Sequence, residues 1–297
     1  MSAIKLGFAG VGRMGAPMVR RLLGAGYDVS VFDPNAAAVA ALVAEGAHAA
    51  ATPAALASEA QIVLLSLPTP EVLQAVALGP DGLSAAKGLR IVIDLSTTGP
   101  RVERLVAAGL SKASIAMVDC PVSGGVAAAE TGKLAMMVAC SEVIREEVRP
   151  ILETLGRMIY VGAEPGMGQT VKVINNLMSV TSLAIASEAL VLGSKAGLDP
   201  AVMMEVINAS TGASNASMTK IPKFVLTRSF DFGFAIELSS KDIRLCLEES
   251  DAQGVPMIVG SAVRQLLSIA KGTLGGQADL TEIIKPIEEW AGHTVGA

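Results

Sequence analysis

Seven short apolar runs recur along the first half of the chain and then stop, and no other feature constrains its fold as tightly. They are IKLGFA (4–9), DVSVFD (28–33), QIVLLSL (61–67), RIVIDL (90–95), IAMVDC (115–120), LAMMVAC (134–140) and MIYVG (158–162). Helical stretches such as Gly15–Gly24 and Ala36–Glu45 separate most of them. Near-continuous apolar strands alternating with helices predict a parallel sheet covered on both faces. GP at 79–80 and TTGP at 97–100 mark βα connections. The Ala-rich stretch 36–60 reads as helix propensity rather than low complexity. After AEPGMG (163–168) no clear strand run remains. Helical spacing continues to the end, with breaks at GLDP (197–200), STGAS (210–214), QGVP (253–256) and KGTLGG (271–276). The expected architecture is a doubly wound α/β domain over 1–163, a long interdomain helix within 164–195 and an all-helical domain over 196–297. Read as Gln169–Lys195, that helix spans about 40 Å at ~1.5 Å per residue. It could carry residues of one domain into a cleft of the other.

Composition narrows the function classes. Apolar residues make up 51% of the 297 and aromatics only 3%, so the core must be aliphatic. The 23 basic and 28 acidic residues leave a net charge of −5, with no long Lys/Arg run. That argues against nucleic acid as a partner, which needs a clustered basic surface. Cys120, Cys140 and Cys246 are scattered and odd in number, so they read as buried small hydrophobes in a reducing compartment. His48 and His293 are the only histidines, which leaves no metal-ligand set. The start, MSAIKLGF, runs into a strand without the apolar segment of a signal peptide. Met178–Leu192 is apolar but interrupted by Ser179, Thr181, Ser182, Ser187 and Glu188, and reads as a buried helix rather than a membrane span. The expectation is a soluble cytoplasmic protein.

GFAGVGRMGAP (7–17) places Gly10, Gly12 and Gly15 as G-x-G-x-x-G. The pattern carries meaning only with a strand before it, a helix after it and an acid about 20 residues on. Lys5–Ala9, Met14–Leu23 and Asp33 meet those conditions. This is the fingerprint of a Rossmann-type dinucleotide loop, with Val11, Arg13 and Met14 lining it beside the glycines. The helix N-terminus would meet the phosphates with free N–H groups. Asp33 would bond the adenosine ribose and repel a 2′-phosphate, which favours NAD. Arg13, a cation within the loop, keeps NADP possible. LSLP (65–68), with Leu67 and Pro68, and DLSTTGP (94–100), with Ser96, end at the sheet edge where such ligands bind. Ser96 reads equally as a helix N-cap.

A nicotinamide enzyme acting on alcohols needs a proton donor and acceptor beside the carbinol oxygen. With histidine nearly absent, Lys, Tyr, Asp and Glu remain. The strongest candidate lies in GMGQTVKVINNLM (166–178), where Lys172 and Asn176 project from one helical face. A desolvated lysine exchanges protons near neutrality; an exposed one would be mere surface. In DCPVSGGVAAAETGKLAM (119–136), Ser123, Gly124 and Gly125 offer a hydroxyl and bare N–H groups suited to a carboxylate, or form an ordinary turn. In FDFGFAIELSSKDIRL (230–245), Phe230, Phe234 and Leu238 form a core-like stripe on an expected helix, with Lys241 and Asp242 at its end.

These four stretches together resemble the β-hydroxyacid dehydrogenase family, which includes 3-hydroxyisobutyrate dehydrogenase and tartronate semialdehyde reductase. The match covers nearly the whole chain: the cofactor loop, DCPVSGG, the G-x-G-x-x-x-K-x-x-x-N pattern of GMGQTVKVINN, and LSSKD, in that order. The resemblance implies Lys172 as general acid/base and Asn176 as the group that orients substrate. It implies Ser123, Gly124 and Gly125 as the carboxylate holders, Lys241 near substrate and nicotinamide, and Ser96 on the nicotinamide side. The implied reaction is NAD(P)-linked interconversion of a small β-hydroxy acid and its semialdehyde.

Neighbouring readings are weaker. 6-Phosphogluconate dehydrogenases are longer and need phosphate-binding groups without counterparts here. Imine reductases depart at the position of Lys172. A non-catalytic dinucleotide sensor would not need the intact lysine, asparagine and Ser-Gly-Gly set. Val122, Val126, Met178 and STGASNAS (210–217) are expected to shape the pocket, and the polarity of Ser214, Asn215 and Ser217 hints at a polar substrate. The long apolar helix suggests a homodimer or homotetramer.

Overall fold

A computed structural model describes residues 4–296 of the chain. It divides into two compact units, Met1–Lys172 and Val173–Ala297.

The first unit is built on nine strands. They are β1 (Lys5–Ala9), β2 (Asp28–Phe32), β3 (His48–Ala49), β4 (Ile62–Leu65), β5 (Ile91–Asp94), β6 (Ala116–Asp119), β7 (Val122–Ser123), β8 (Leu134–Ala139) and β9 (Gly156–Gly162). Between them lie α1 (Gly15–Gly24), α2 (Ala36–Ala44), α3 (Pro53–Glu59), α4 (Pro70–Leu78), α5 (Pro100–Ser111), α6 (Gly125–Thr131) and α7 (Glu142–Glu153). The sheet order is β3-β2-β1-β4-β5-β6-β8-β7, with β9 pairing β8. β3 to β6 run parallel, while β8 pairs antiparallel with β6 and β7. Apolar residues explain the two-sided burial. Ile62, Leu64, Ile91 and Ile93 enter one core, and Val63, Leu65 and Val92 enter the other. Strand side chains alternate faces, so an unbroken apolar run serves both.

Two strands escape the hydrophobic pattern. β3 and β7 have two residues each and lie within stretches whose composition signals helix and glycine turn. The helical reading of 36–60 therefore gives way to α2, β3 and α3, with Asn35 and Thr52 as side-chain N-caps. His48 on β3 is exposed and faces Asp28 at 3.1 Å.

Register brings the strand ends together. Phe32, Ala9, Leu65, Asp94 and Asp119 are successive partners across β2, β1, β4, β5 and β6. The loops that follow them leave one edge of the sheet, and the strand order reverses between β1 and β4. This is where doubly wound sheets bind ligands.

α8 (Met167–Lys195) runs from the first unit into the second, with the division falling after Lys172. Its first residues are tied to the first unit by Asp119 and Gln169, which is why that unit extends beyond residue 163. By length and composition α8 could cross a membrane. Val173, Val180, Leu183 and Leu190 are nevertheless buried in the core of the second unit, the packing of a core helix.

The second unit adds α9 (Pro200–Asn208), a π-helix over Ala216–Val225, α10 (Ile236–Gln253), α11 (Ile258–Leu274) and α12 (Ile284–Ala291). The helix expected from Phe230 starts only at Ile236. Phe230 has a φ of +48° and Gly233 one of +87°, outside the helical region. Phe230 and Phe234 still pack on the core, but as an extended approach to α10.

Two loop glycines make a direct test. Gly10 has a φ of +91°, and a Cβ there would lie 2.2 Å from the Ser66 carbonyl oxygen. Gly12 has no such strain, and its Cβ would meet nothing within 4 Å. Gly10→Ala should lower unfolding free energy by about 2–4 kcal/mol in urea, and Gly12→Ala by less than about 0.5 kcal/mol.

Candidate active site

The glycine loop is held from below by Asp33. Its Oδ2 accepts the Val11 N–H and its Oδ1 the Asn35 N–H, both at 2.8 Å. Gly10 turns the chain over Ser66, and Gly15 sits so close to the Gly10 carbonyl that a Cβ would collide with it. Gly12 and Arg13 are exposed, Met14 is half-buried and Val11 is buried in the core. Since the fold makes no demand for glycine at position 12, the open backbone there fits a ligand that must approach closely. A pyrophosphate on the N–H groups of α1 meets that description.

Ser96 links the next two strand ends. Its Oγ accepts the Leu67 N–H at 2.8 Å, and its own N–H donates to Asp94 Oδ1 at 3.1 Å. It is not a helix cap: Gly99 holds that position for α5. Leu67 is half-buried and Pro68 exposed on the loop after β4.

Beneath this edge lies a group of buried acids that motif reading passes over. Asp94 and Asp119 are register partners, and Glu103 enters from the first turn of α5. All three are fully buried. Neither carboxyl oxygen of Glu103 meets an N–H or O–H donor among the described residues. Burial and the neighbouring Asp94 and Asp119 charges push Glu103 well above the usual carboxylate range. A neutral Glu103 donating to Asp94 resolves the crowding of like charges.

Asp119 faces the other way, toward α8. Its Oδ2 accepts the N–H groups of Gly166 and Gly168 at 2.8 Å and of Gln169 at 3.2 Å. A Cβ on Gly168 would press against the Asp119 carboxylate, so the glycine permits the approach. Gln169 completes the attachment: its Oε1 accepts from Thr98 and Gly99, and its Nε2 donates to the Ser96 carbonyl. The first turn of α8 is thereby anchored to the loop after β5.

Lys172 lies one turn beyond that anchor and is 8% exposed. Asn176 follows one turn later, half-buried. Its Nδ2 donates to Asp242 Oδ2 at 2.6 Å. A carboxylate only accepts, so this bond decides the amide's orientation and leaves Oδ1 as the acceptor, which takes an N–H from Asn175 Nδ2 at 3.3 Å. Asp242 is itself held by Lys241, 3.2 Å away and largely buried with it. Lys241 thus has a structural task beside any contact with ligand. Ser123 is half-buried on β7, and Gly124 and Gly125 are exposed with φ of +132° and +69° at the start of α6. The first N–H groups of that helix have no intrahelical acceptor.

The pocket hint from Ser214 and Ser217 has a different explanation. The Ser214 N–H donates to Ser217 Oγ, and the Ser217 N–H to Ser214 Oγ. The two hydroxyls cap the start of the π-helix, and Asn215 makes no side-chain cap bond.

Comparison with known proteins agrees with the geometry. Residues 5–162 match the model described as the NAD binding domain of 6-phosphogluconate dehydrogenase. Residues 166–287 match the NAD-binding model of NADP-dependent 3-hydroxyisobutyrate dehydrogenase. The 2-(hydroxymethyl)glutarate dehydrogenase of Eubacterium barkeri is 38% identical over 99% of this chain and 98% of its own. The chain belongs to the β-hydroxyacid dehydrogenase family. The 3-sulfolactaldehyde reductase of Escherichia coli is 34% identical over 97% of each chain. A solved structure of Mycobacterium tuberculosis 3-hydroxyisobutyrate dehydrogenase with L-serine superposes with a TM-score of 0.89 at 32% identity, over 96% of this chain and 99% of that one. As a member of this family, the protein is an NAD(P)-dependent oxidoreductase acting on CH–OH donors.

Burial pushes Asp119 up to about 7, against the pull of its three N–H bonds. A carboxyl raised above its unfolded value of 3.8 binds more protons folded than unfolded between those two values. Its contribution to stability is therefore present at low pH and declines as pH rises toward 7. Asn at this position keeps an acceptor without the charge. Thermal unfolding should show wild type losing stability relative to Asp119→Asn as pH rises from 5 to 8, with the difference levelling off above about 7. A pH-independent difference would contradict this role for Asp119.

Proposed function

We propose that the protein interconverts a small β-hydroxy acid of the 3-hydroxyisobutyrate type and its semialdehyde, with NAD as the preferred cofactor. A tartronate semialdehyde reductase differs only in the substrate's substituent. The observation that carries the reading is the placement of Lys172: buried, one turn from the Asp119 anchor, with Asn176 on the same helical face. When bound, the nicotinamide supplies the hydride acceptor or donor. Gly10, Val11, Gly12, Arg13, Met14 and Gly15 would receive the pyrophosphate, and Asp33 the ribose, with Leu67, Pro68 and Ser96 toward the nicotinamide.

Ser123 and the N–H groups at Gly124 and Gly125 hold the substrate carboxylate. Asn176 Oδ1, directed by Asp242, accepts from the substrate hydroxyl or from the lysine ammonium. Lys172 Nζ takes the hydroxyl proton in oxidation and returns it to the developing alkoxide in reduction. Lys241, paired with Asp242, would stand near the substrate and the nicotinamide. We read the protein as cytosolic. The exposed row of Val171, Ile174, Met178, Ile185 and Leu192 on α8 supports assembly as a homodimer or homotetramer.

Lys172→Ala should retain NADH binding by fluorescence titration while kcat falls about 10²- to 10⁴-fold. Turnover near the wild-type rate in that variant would remove Lys172 from the mechanism. The row on α8 is checked separately. Met178→Asp with Ile185→Asp should shift the mass measured by light scattering to that of one chain, and an unchanged mass would place the interface elsewhere.

A further inference from the structure

Among the described residues, Lys220 is the buried cation of the second unit that no carboxylate accompanies. It is 2% exposed, on a π-helix, an element that recurs at functional sites. Its Nζ donates to Ser179 Oγ at 2.6 Å and lies 5.2 Å from the centre of the Phe232 ring. The other cations of this unit with mostly covered side chains that form ion pairs are arranged differently. Lys241 faces Asp242, and Arg228 makes a two-pronged pair with Glu288.

An ammonium carries three donors, and only one is engaged here. Ser179 spends its oxygen as acceptor and keeps its O–H as a donor. Two N–H groups and one O–H therefore converge without an acceptor among the described residues. A donor-only site around a positive charge fits an anion. Burial alone drives the Lys220 pKa down to about 8, the direction expected of a cation with no counter-charge beside it. Ser179 is half-buried and Phe232 is 37% exposed, so the site has an outward side.

The position along α8 gives the site its meaning. Lys172, Asn176 and Ser179 stand at i, i+4 and i+7, on one stripe of the helix. Ser179 is displaced from Asn176 by ~4.5 Å along the axis, a span that a short carbon chain covers. We infer that Lys220 and Ser179 form a specificity subsite for a second carboxylate at the far end of the substrate, so that the protein favours dianionic β-hydroxy acids over monoanionic ones. This rests on the proposed assignment of Lys172 and Asn176 to the reacting end.

The test compares NAD-linked oxidation of 2-(hydroxymethyl)glutarate and 3-hydroxyisobutyrate by the wild type, Lys220→Met and Lys220→Arg. Wild type should favour the dianion. Lys220→Met should lose about 10- to 100-fold in kcat/KM on the dianion, chiefly through KM, and stay within about threefold on the monoanion. Lys220→Arg should keep most of the preference, because it keeps the charge. An equal loss on both substrates would mark Lys220 as structural and overturn the inference. A second measurement needs no variant: glutarate should inhibit wild type at least about tenfold more tightly than butyrate. Equal inhibition by the two overturns the subsite. If wild type oxidises 3-hydroxyisobutyrate with no preference for the dianion, only the Lys220 assignment fails. If it oxidises neither acid, the reading of Lys172 fails with it.

Discussion

Asp119 Oδ2 accepts three backbone N–H groups at the entry to α8, and the placement of the proposed acid/base depends on that one oxygen. The first N–H groups of any helix lack intrahelical partners, and a carboxylate there is favoured by both hydrogen bonding and the helix dipole. Gln169 adds bonds to the loop after β5, so the first turn of α8 is held there by both side-chain and backbone partners. Lys172 follows on the next turn and inherits that setting. Removing the Asp119 acceptor would leave buried N–H groups unpaired, at a cost of about 1–3 kcal/mol for each group left unsatisfied.

That anchor creates its own difficulty. Parallel pairing puts Asp119 directly beside Asp94, and Glu103 comes in from α5. Three buried carboxyl groups in so little space do not all ionise together. Protonation of Glu103 relieves the group, and the donors from Ser96 and Thr98 favour the charged form of Asp94. The acids therefore belong to one interacting group beneath this edge of the sheet, which shapes the loop after β5 as much as it caps α8. The second unit uses a similar device on a smaller scale: Lys241 holds Asp242, and Asp242 fixes the amide of Asn176.

Much of the fold was readable because apolar runs and glycine turns are local signals. Each of the seven runs lies on an observed strand, and α8 differs from its expected span by two residues at the start. β3 and β7 were not readable, since two-residue strands hold too few side chains to make a pattern. The helix expected from Phe230 failed because apolar spacing at i and i+4 cannot sense the left-handed φ of Phe230 or the turn at Gly233. Motif positions such as Gly12, Ser123, Lys172 and Asn176 stood out by residue type and spacing. Asp119, Gln169 and Lys220 did not, because their roles come from partners 41 to 73 residues away in the chain.

The sequence by itself determined the alternation that makes a parallel sheet, the loop that fits a dinucleotide, and the residue types available for proton transfer. These depend on periodicity and on the conformations that glycine and apolar side chains permit, both properties of short segments. Tertiary structure decided which polar groups meet. It turned Ser214 and Ser217 from pocket candidates into caps, made Asp119 the anchor of α8, and left Lys220 buried with no carboxylate beside it among the described residues. Hydrogen bonds and charge pairing act over a few ångströms, and only the folded chain brings residues so distant in sequence within that range.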